Sequence, residues 1–125
     1  MPLIIILKTR PHSGHQIRLS STAWSEINGW IATNDRMRKP IIETGGLLFG
    51  ERSDLLKIMW IDEVSGPPPD SSHSADGFVC GVRGTRELGK EKAKRTANLL
   101  SFLGMWHTHP GGNPVPSATD LRGGG

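Results

Sequence analysis

Residues 43–64 read ETGGLLFGERSDLLKIMWIDEV, and the fold turns on how they pair. The runs ETGGLLFGER and LLKIMWIDEV are both extended in character, and they meet at Arg52-Ser53-Asp54, polar residues of the kind that favour a turn. A β-hairpin is the natural reading. Gly45 and Gly46 lie near its start, where a missing side chain lets a second backbone or a substrate come close. Glu43 opens the same apolar run. A carboxylate there is ordinarily solvated, and burying it is costly unless something uses it.

Outward from the hairpin, the chain alternates strand-like and helix-like segments. Upstream, LIIILK (Leu3–Lys8) is a β-branched run that suits a buried strand, and HQIRLS (His15–Ser20) suits a second, with RPHSG turning between them. With Ser20 or Ser21 as N-cap, Trp24, Ile27 and Ile31 fall at i, i+3 and i+7 with Trp30 beside them. This predicts an amphipathic helix that ends near Arg38, because Pro40 stops it. Downstream, SGPPPDSSHSADG is too rich in Pro, Ser and Asp for regular structure and reads as a surface loop. FVCGV reads as a short strand, Thr85 to Leu100 as a second helix offering Leu88, Ala97, Leu99 and Leu100 for burial, and FLGMWHTH as a returning strand ended by PGGNPVP. The expected fold class is α/β, a mixed and mostly antiparallel sheet with two flanking helices.

The 125 residues suffice for one hydrophobic core, so a single domain over residues 1–125 is expected. The longest apolar runs are far shorter than the ~20 residues that cross a bilayer, and Met1 to Arg10 lacks a signal-peptide cleavage pattern, which predicts a soluble, cytoplasmic protein with no membrane partner. The lone Cys80 permits no internal disulfide and there is no CxxC pair, so any metal must rely on His and carboxylate ligands. Much of the formal charge of +3 sits in RGTRELGKEKAKR (Arg83–Arg95). That run reads as the solvated face of a helix. Nucleic acid is only weakly indicated as a partner, since the few aromatics do not interleave with the basic residues.

The chemistry concentrates in GMWHTHPGGNPVPSATD, residues 104–120. Side chains alternate along a strand, so His107 and His109 emerge side by side while Thr108 points away and Trp106 faces the core. Two imidazoles so placed suit a divalent metal, zinc being the usual ion for sites of histidine and carboxylate, although a His-x-His pair alone is equally well two surface histidines. Ser117-x-x-Asp120 has the form of a capped helix N-terminus, and Asp120 is also placed to be a third ligand, which would leave one tetrahedral position open. A hydrolytic zinc needs a general base, and Glu43 is the candidate. His12, His15 and His73 have no partners at ligand spacing and read as solvated; Cys80 reads as a small buried hydrophobe. Pro67–Pro69 reads as a stiff loop flanking a groove.

In this order and at these spacings, Glu43, His107-x-His109-Pro110 and Ser117-x-x-Asp120 resemble the JAMM motif of the MPN-plus zinc metalloproteases. The resemblance covers most of the chain: ETGGLLFG looks like the glutamate strand of that family, and SGPPPDSSHSADGFVCG resembles the loop and strand of its single-domain bacterial members. It implies a JAB/MPN-like fold with cytidine-deaminase-like layering, and Zn²⁺ held by His107, His109 and Asp120. It implies Glu43 as general base and Ser117 as a hydrogen-bond donor to the oxyanion. It further implies hydrolysis of the amide bond after the C-terminal glycine of a ubiquitin-like protein, with ubiquitin-activating-like and conjugating-like enzymes as partners, in bacterial antiphage systems that use cyclic-nucleotide signals. Two alternatives stay open: a zinc hydrolase that trims a sulfur-carrier protein or a small amide, and a non-catalytic scaffold like the metal-free branch of the superfamily. Members of the family continue well past the aspartate, whereas five residues follow Asp120, so a C-terminal part is expected to be missing.

Overall fold

A computed structural model describes residues 3–8 and 16–110 of the chain. The hairpin at 43–64 is its centre. β3 (Gly45–Ser53) and β4 (Ile58–Val64) pair antiparallel from Leu48↔Val64 to Ser53↔Ile58. On the far side of β3 lies β7 (Ser101–Thr108), also antiparallel, and beyond it β1 (Leu3–Leu7), antiparallel again from Leu3↔Thr108 to Leu7↔Gly104. β2 (Gln16–Leu19) adds to the free side of β4 in parallel. The sheet order is β1-β7-β3-β4-β2, a mixed and mostly antiparallel sheet as the sequence predicts. The hairpin turn lies a little later than expected, at residues 54–57, because Ser53 still pairs with Ile58 and its hydroxyl accepts the Leu56 N–H at 3.0 Å. Leu55, expected in a strand, is instead 92% exposed at the tip.

Two bulges break strict alternation and let one face bury more than its share. Opposite Phe49 and Gly50 of β3, β4 advances from Glu63 to Ile61, so Asp62 is an extra residue; opposite Leu48 and Phe49, β7 advances from Gly104 to Phe102, so Leu103 is extra. Ile61 and Val64 therefore reach the same core, as do Leu103 and Trp106, together with Leu48, Met59, Ala23 and Ile27.

α1 (Ser21–Met37) covers that face. Ser20 is its N-cap: its hydroxyl accepts the Ala23 N–H at 3.0 Å and donates to the Asp62 carbonyl at 2.9 Å, fastening the helix start to the bulge. The buried stripe is Ala23, Ile27 and Asn34, with Ile31 partly buried, and this corrects the expected one, since Trp24 is 51% exposed and Trp30 39%. Small Ala23 lets the helix approach the sheet, which displaces the bulky indoles to its flanks; the Trp30 ring lies over Gly66.

α2 (Thr85–Arg95) packs on the other face, where Phe49 meets Phe102 edge-on at 6.1 Å and Lys92 lies 5.1 Å above the Phe49 ring. The helix stops five residues short of the expected Leu100. Ala97 and Asn98 both adopt left-handed backbone (φ 53° and 68°), which ends the helix, buries Leu100 at the mouth of β7 and leaves Leu99 exposed. The basic run Arg83–Arg95 has no buried residue in its helix, as a solvated face should, and Lys92 and Arg95 of that face both bind Glu63.

The loop after β4 holds more order than its composition suggests. β5 (Ser72–His73) and β6 (Phe78–Val79) pair as a two-stranded ribbon, turned where the Ser74 hydroxyl accepts the N–H groups of Asp76 and Gly77. Asp70 accepts N–H bonds from Val82 and Arg83 and Ser71 accepts one from Gly81, so the whole loop is pinned against the chain leading into α2. Among the described residues no helix is long and apolar enough to cross a membrane.

Candidate active site

Glu43 sits just before β3, outside the ladder, yet every backbone polar group around it is bonded. The Ile42 carbonyl accepts from Asn34 Nδ2 of α1 at 2.9 Å. The Glu43 N–H donates to the Ser74 carbonyl at 2.9 Å, and the Glu43 carbonyl lies 3.0 Å from His73 Nδ1, both partners on the β5–β6 ribbon. The Thr44 N–H donates to Thr108 Oγ1 at 3.1 Å, and the Thr44 carbonyl accepts the Thr108 N–H at 2.8 Å. A helix, a ribbon and β7 thus hold three consecutive residues that have no regular structure of their own.

This anchoring aims a carboxylate inward. Glu43 is 2% exposed, and Gly45 directly faces His107 across the β3–β7 ladder. A side chain at Gly45 would collide with the Trp106 carbonyl, so glycine is what lets the strands approach here. Glu43 Oε1 lies 3.3 Å from His107 Nδ1, and Oε2 lies 3.3 Å from His109 Nδ1. One buried carboxylate therefore bridges the two imidazoles. His107 emerges from β7 and His109 just past its end, on one face as strand alternation requires, while Trp106 is wholly buried in the opposite core.

Two features of the histidines fit a metal such as zinc. His107 Nδ1 lies 3.0 Å from the Thr108 carbonyl, which can only accept, so Nδ1 carries the proton and the lone pair is on Nε2. A ring nitrogen protonated against a backbone carbonyl is the usual state of a metal-binding histidine. His109 Nδ1 is a buried nitrogen that makes no hydrogen bond, close to Glu43 but out of line with it. Among the described residues no three His, Cys, Asp or Glu side chains are arranged to hold an ion. Asp120, the expected third ligand, and Ser117 lie outside the described residues, as do His12 and His15.

Residues 30–123 match the sequence profile of the prokaryotic homologs of the JAB domain, well over half of the chain. The chain belongs to this family. Three relatives of this JAB-domain chain align over somewhat shorter lengths, and each is called a CD-NTase/cGAS isopeptidase. The protein of Enterobacter hormaechei subsp. hoffmannii (strain UCI 50) is 38% identical over 86 residues, 69% of this chain and 46% of its own length. That of Vibrio cholerae serotype O1 is 36% identical over 81 residues, covering 62% and 49%. That of Escherichia coli (strain TW11681) is 29% identical over 80 residues, covering 64% and 50%. The chain matches about half the length of these relatives.

On the face of the JAB sheet that carries His107, an apolar cleft of about 290 Å³ opens two residues further along the same strands. Leu47, Met105 and Phe102 form its floor, and Cys80, Val82 and Thr85 form one wall. Cys80, expected to be buried, is only half so; burial, with Asp70 nearby, pushes its thiol up to about 11, which favours the protonated form at neutral pH. His73 corrects a second expectation: it is not solvated but packs at 5.2 Å against Phe78 while contacting Glu43. Asn34, His73 and Thr108 are the contributors to the site that the sequence did not single out. Thr108 stands out as a polar residue at the end of a largely apolar strand, whereas Asn34 and His73 lie in polar stretches of the sequence that give no such signal.

Proposed function

We propose that this JAB domain is a zinc-dependent isopeptidase that hydrolyses the amide bond after the C-terminal glycine of a ubiquitin-like protein. The observation that carries the reading is the single buried carboxylate of Glu43 set 3.3 Å from both His107 and His109. His107 and His109 would hold the zinc with Asp120 as third ligand. Bound zinc supplies Lewis-acid polarisation of the scissile carbonyl and a water of lowered pKa. Glu43 takes a proton at its carboxylate and hands it to the departing amine. Its burial keeps bulk water from competing, and its many backbone anchors keep the carboxylate where the proton is needed. Ser117 donates to the oxyanion, a bond worth roughly 3 kcal/mol in the transition state.

The cleft is consistent with that substrate class: lined by Leu47 and Met105, two residues along the strands from His107, it would take an apolar residue upstream of the glycines in an extended tail. The names of the three relatives support a nucleotidyltransferase of the CD-NTase/cGAS class as the protein from which the tail is released. The activity then reverses a conjugation made by ubiquitin-activating-like and conjugating-like enzymes in an antiviral system.

The test is a ubiquitin-like protein carrying a fluorogenic amide at its C-terminal glycine. Cleavage should stop with a chelator and return with zinc, and Glu43→Gln should lower kcat by about 10²–10⁴-fold with zinc still bound by elemental analysis. Metal-independent cleavage, or a fully active Glu43→Gln protein, refutes the proposal.

A further inference from the structure

His73 is a titratable side chain beside Glu43 for which the mechanism above has no task. Its ring is half-buried on β5 and tilted 56° against Phe78 across the ribbon, and its Nδ1 lies 3.0 Å from the Glu43 carbonyl. A carbonyl only accepts, so Nδ1 bears the proton and donates. One residue on, the Ser74 carbonyl takes the Glu43 N–H at 2.9 Å. The ribbon therefore grips both backbone polar groups of Glu43, which lies two residues ahead of the first paired residue of β3 and has no ladder bond of its own. Phe78 backs this grip, because its ring occupies the space a side chain at Gly45 would need. Burial, reinforced by the Arg38 cation, lowers the His73 pKa and favours a neutral ring with one committed proton.

We propose that His73 is the positioning residue for Glu43: its Nδ1–H fixes the peptide that carries the base, so that the carboxylate stays between His107 and His109. The proposal rests on the reading of Glu43 as general base. A side chain with no rotational anchor on its own peptide samples several carboxylate positions, and a displacement of about 1 Å is enough to cost turnover heavily. His73 touches neither substrate nor metal in this account and acts only through Glu43.

Wild type, His73→Asn and His73→Phe separate the possibilities. Asparagine puts an amide N–H near the place of Nδ1, whereas phenylalanine keeps the ring on Phe78 and has no donor. On the fluorogenic ubiquitin-like substrate, His73→Phe should lower kcat about tenfold at unchanged KM and unchanged bound zinc, and His73→Asn should recover to within about threefold of wild type. An active wild type with an equally active His73→Phe, or an equal loss in both variants, overturns the positioning role and leaves the isopeptidase reading intact. A wild type that cleaves nothing overturns both. Independently of turnover, long-range ¹H–¹⁵N spectra of the wild-type chain should show His73 as the Nδ1–H tautomer; the Nε2–H tautomer overturns the proposal.

Discussion

Strand alternation put His107 and His109 on one face and an acid at an apolar strand start made Glu43 a candidate, but each feature alone reads equally as a solvated surface residue, and only the composite motif joined them. What sets the Glu43 carboxylate 3.3 Å from each of the two histidines was not legible. Asn34 bonds a backbone carbonyl just past its own helix, and His73 and Thr108 bond backbone groups far away in sequence; such bonds leave no periodic mark. Gly45 shows how narrow the fit is. A Cβ there would strike the Trp106 carbonyl and lie 2.7 Å from the Phe78 ring and 2.9 Å from His107 Cβ. Gly45→Ala should therefore destabilise the fold by roughly 1–3 kcal/mol in urea unfolding, through strain of the overpacking kind. It should also cut turnover more than this loss explains, because His107 is among the atoms that must yield.

Elements were read well where local chemistry fixes them and poorly where a partner does. Ser20 caps α1 as its sequence context requires, and Pro40 follows the helix end. The bulges at Asp62 and Leu103 have no local signature, because they arise from how three strands curve together. The Asp62 bulge carries a testable charge. Burial first, then the Glu51 and Glu63 carboxyls, push the Asp62 pKa up to about 6 from 3.8. The folded chain thus binds this proton more tightly than the unfolded one, and stability contributed here falls as pH rises through the window from about 4 to about 6. Asp62→Asn should remove that slope and stabilise the protein above it by at most about 1 kcal/mol, since the group is partly solvated. Denaturant midpoints compared at about pH 4.5 and about pH 7.5 give the answer; identical pH dependence in both proteins would count against it. Glu63 is the opposite case. Burial alone would raise its pKa, but hydrogen bonds from Arg95 and Lys92 outweigh that and lower it, tying β4 to α2.

For the molecule as a whole, the site and the core are two faces of one strand. Trp106 is the largest fully buried side chain, its Nε1 donates to the Ser65 carbonyl at 3.1 Å, and it precedes His107. Trp106→Ala should cost about 3–5 kcal/mol, a large part of a typical domain's stability, and the zinc binding proposed above should weaken in step with the folded fraction. Trp106→Phe should cost clearly less, read as a smaller drop in thermal midpoint, since most of the volume stays and only the Ser65 carbonyl loses its donor. The α/β class and both helices could be read from the chain, whereas the order β1-β7-β3-β4-β2 could not, because it depends on pairings between distant segments. That order has a consequence during synthesis. Leu3 pairs with Thr108, far along the sequence, so the apolar β1 waits on the ribosome until β7 has been made. At translation speeds of about 5–20 residues per second, LIIIL stays unpaired for roughly 5–20 s, which makes this nascent strand a natural client for a chaperone.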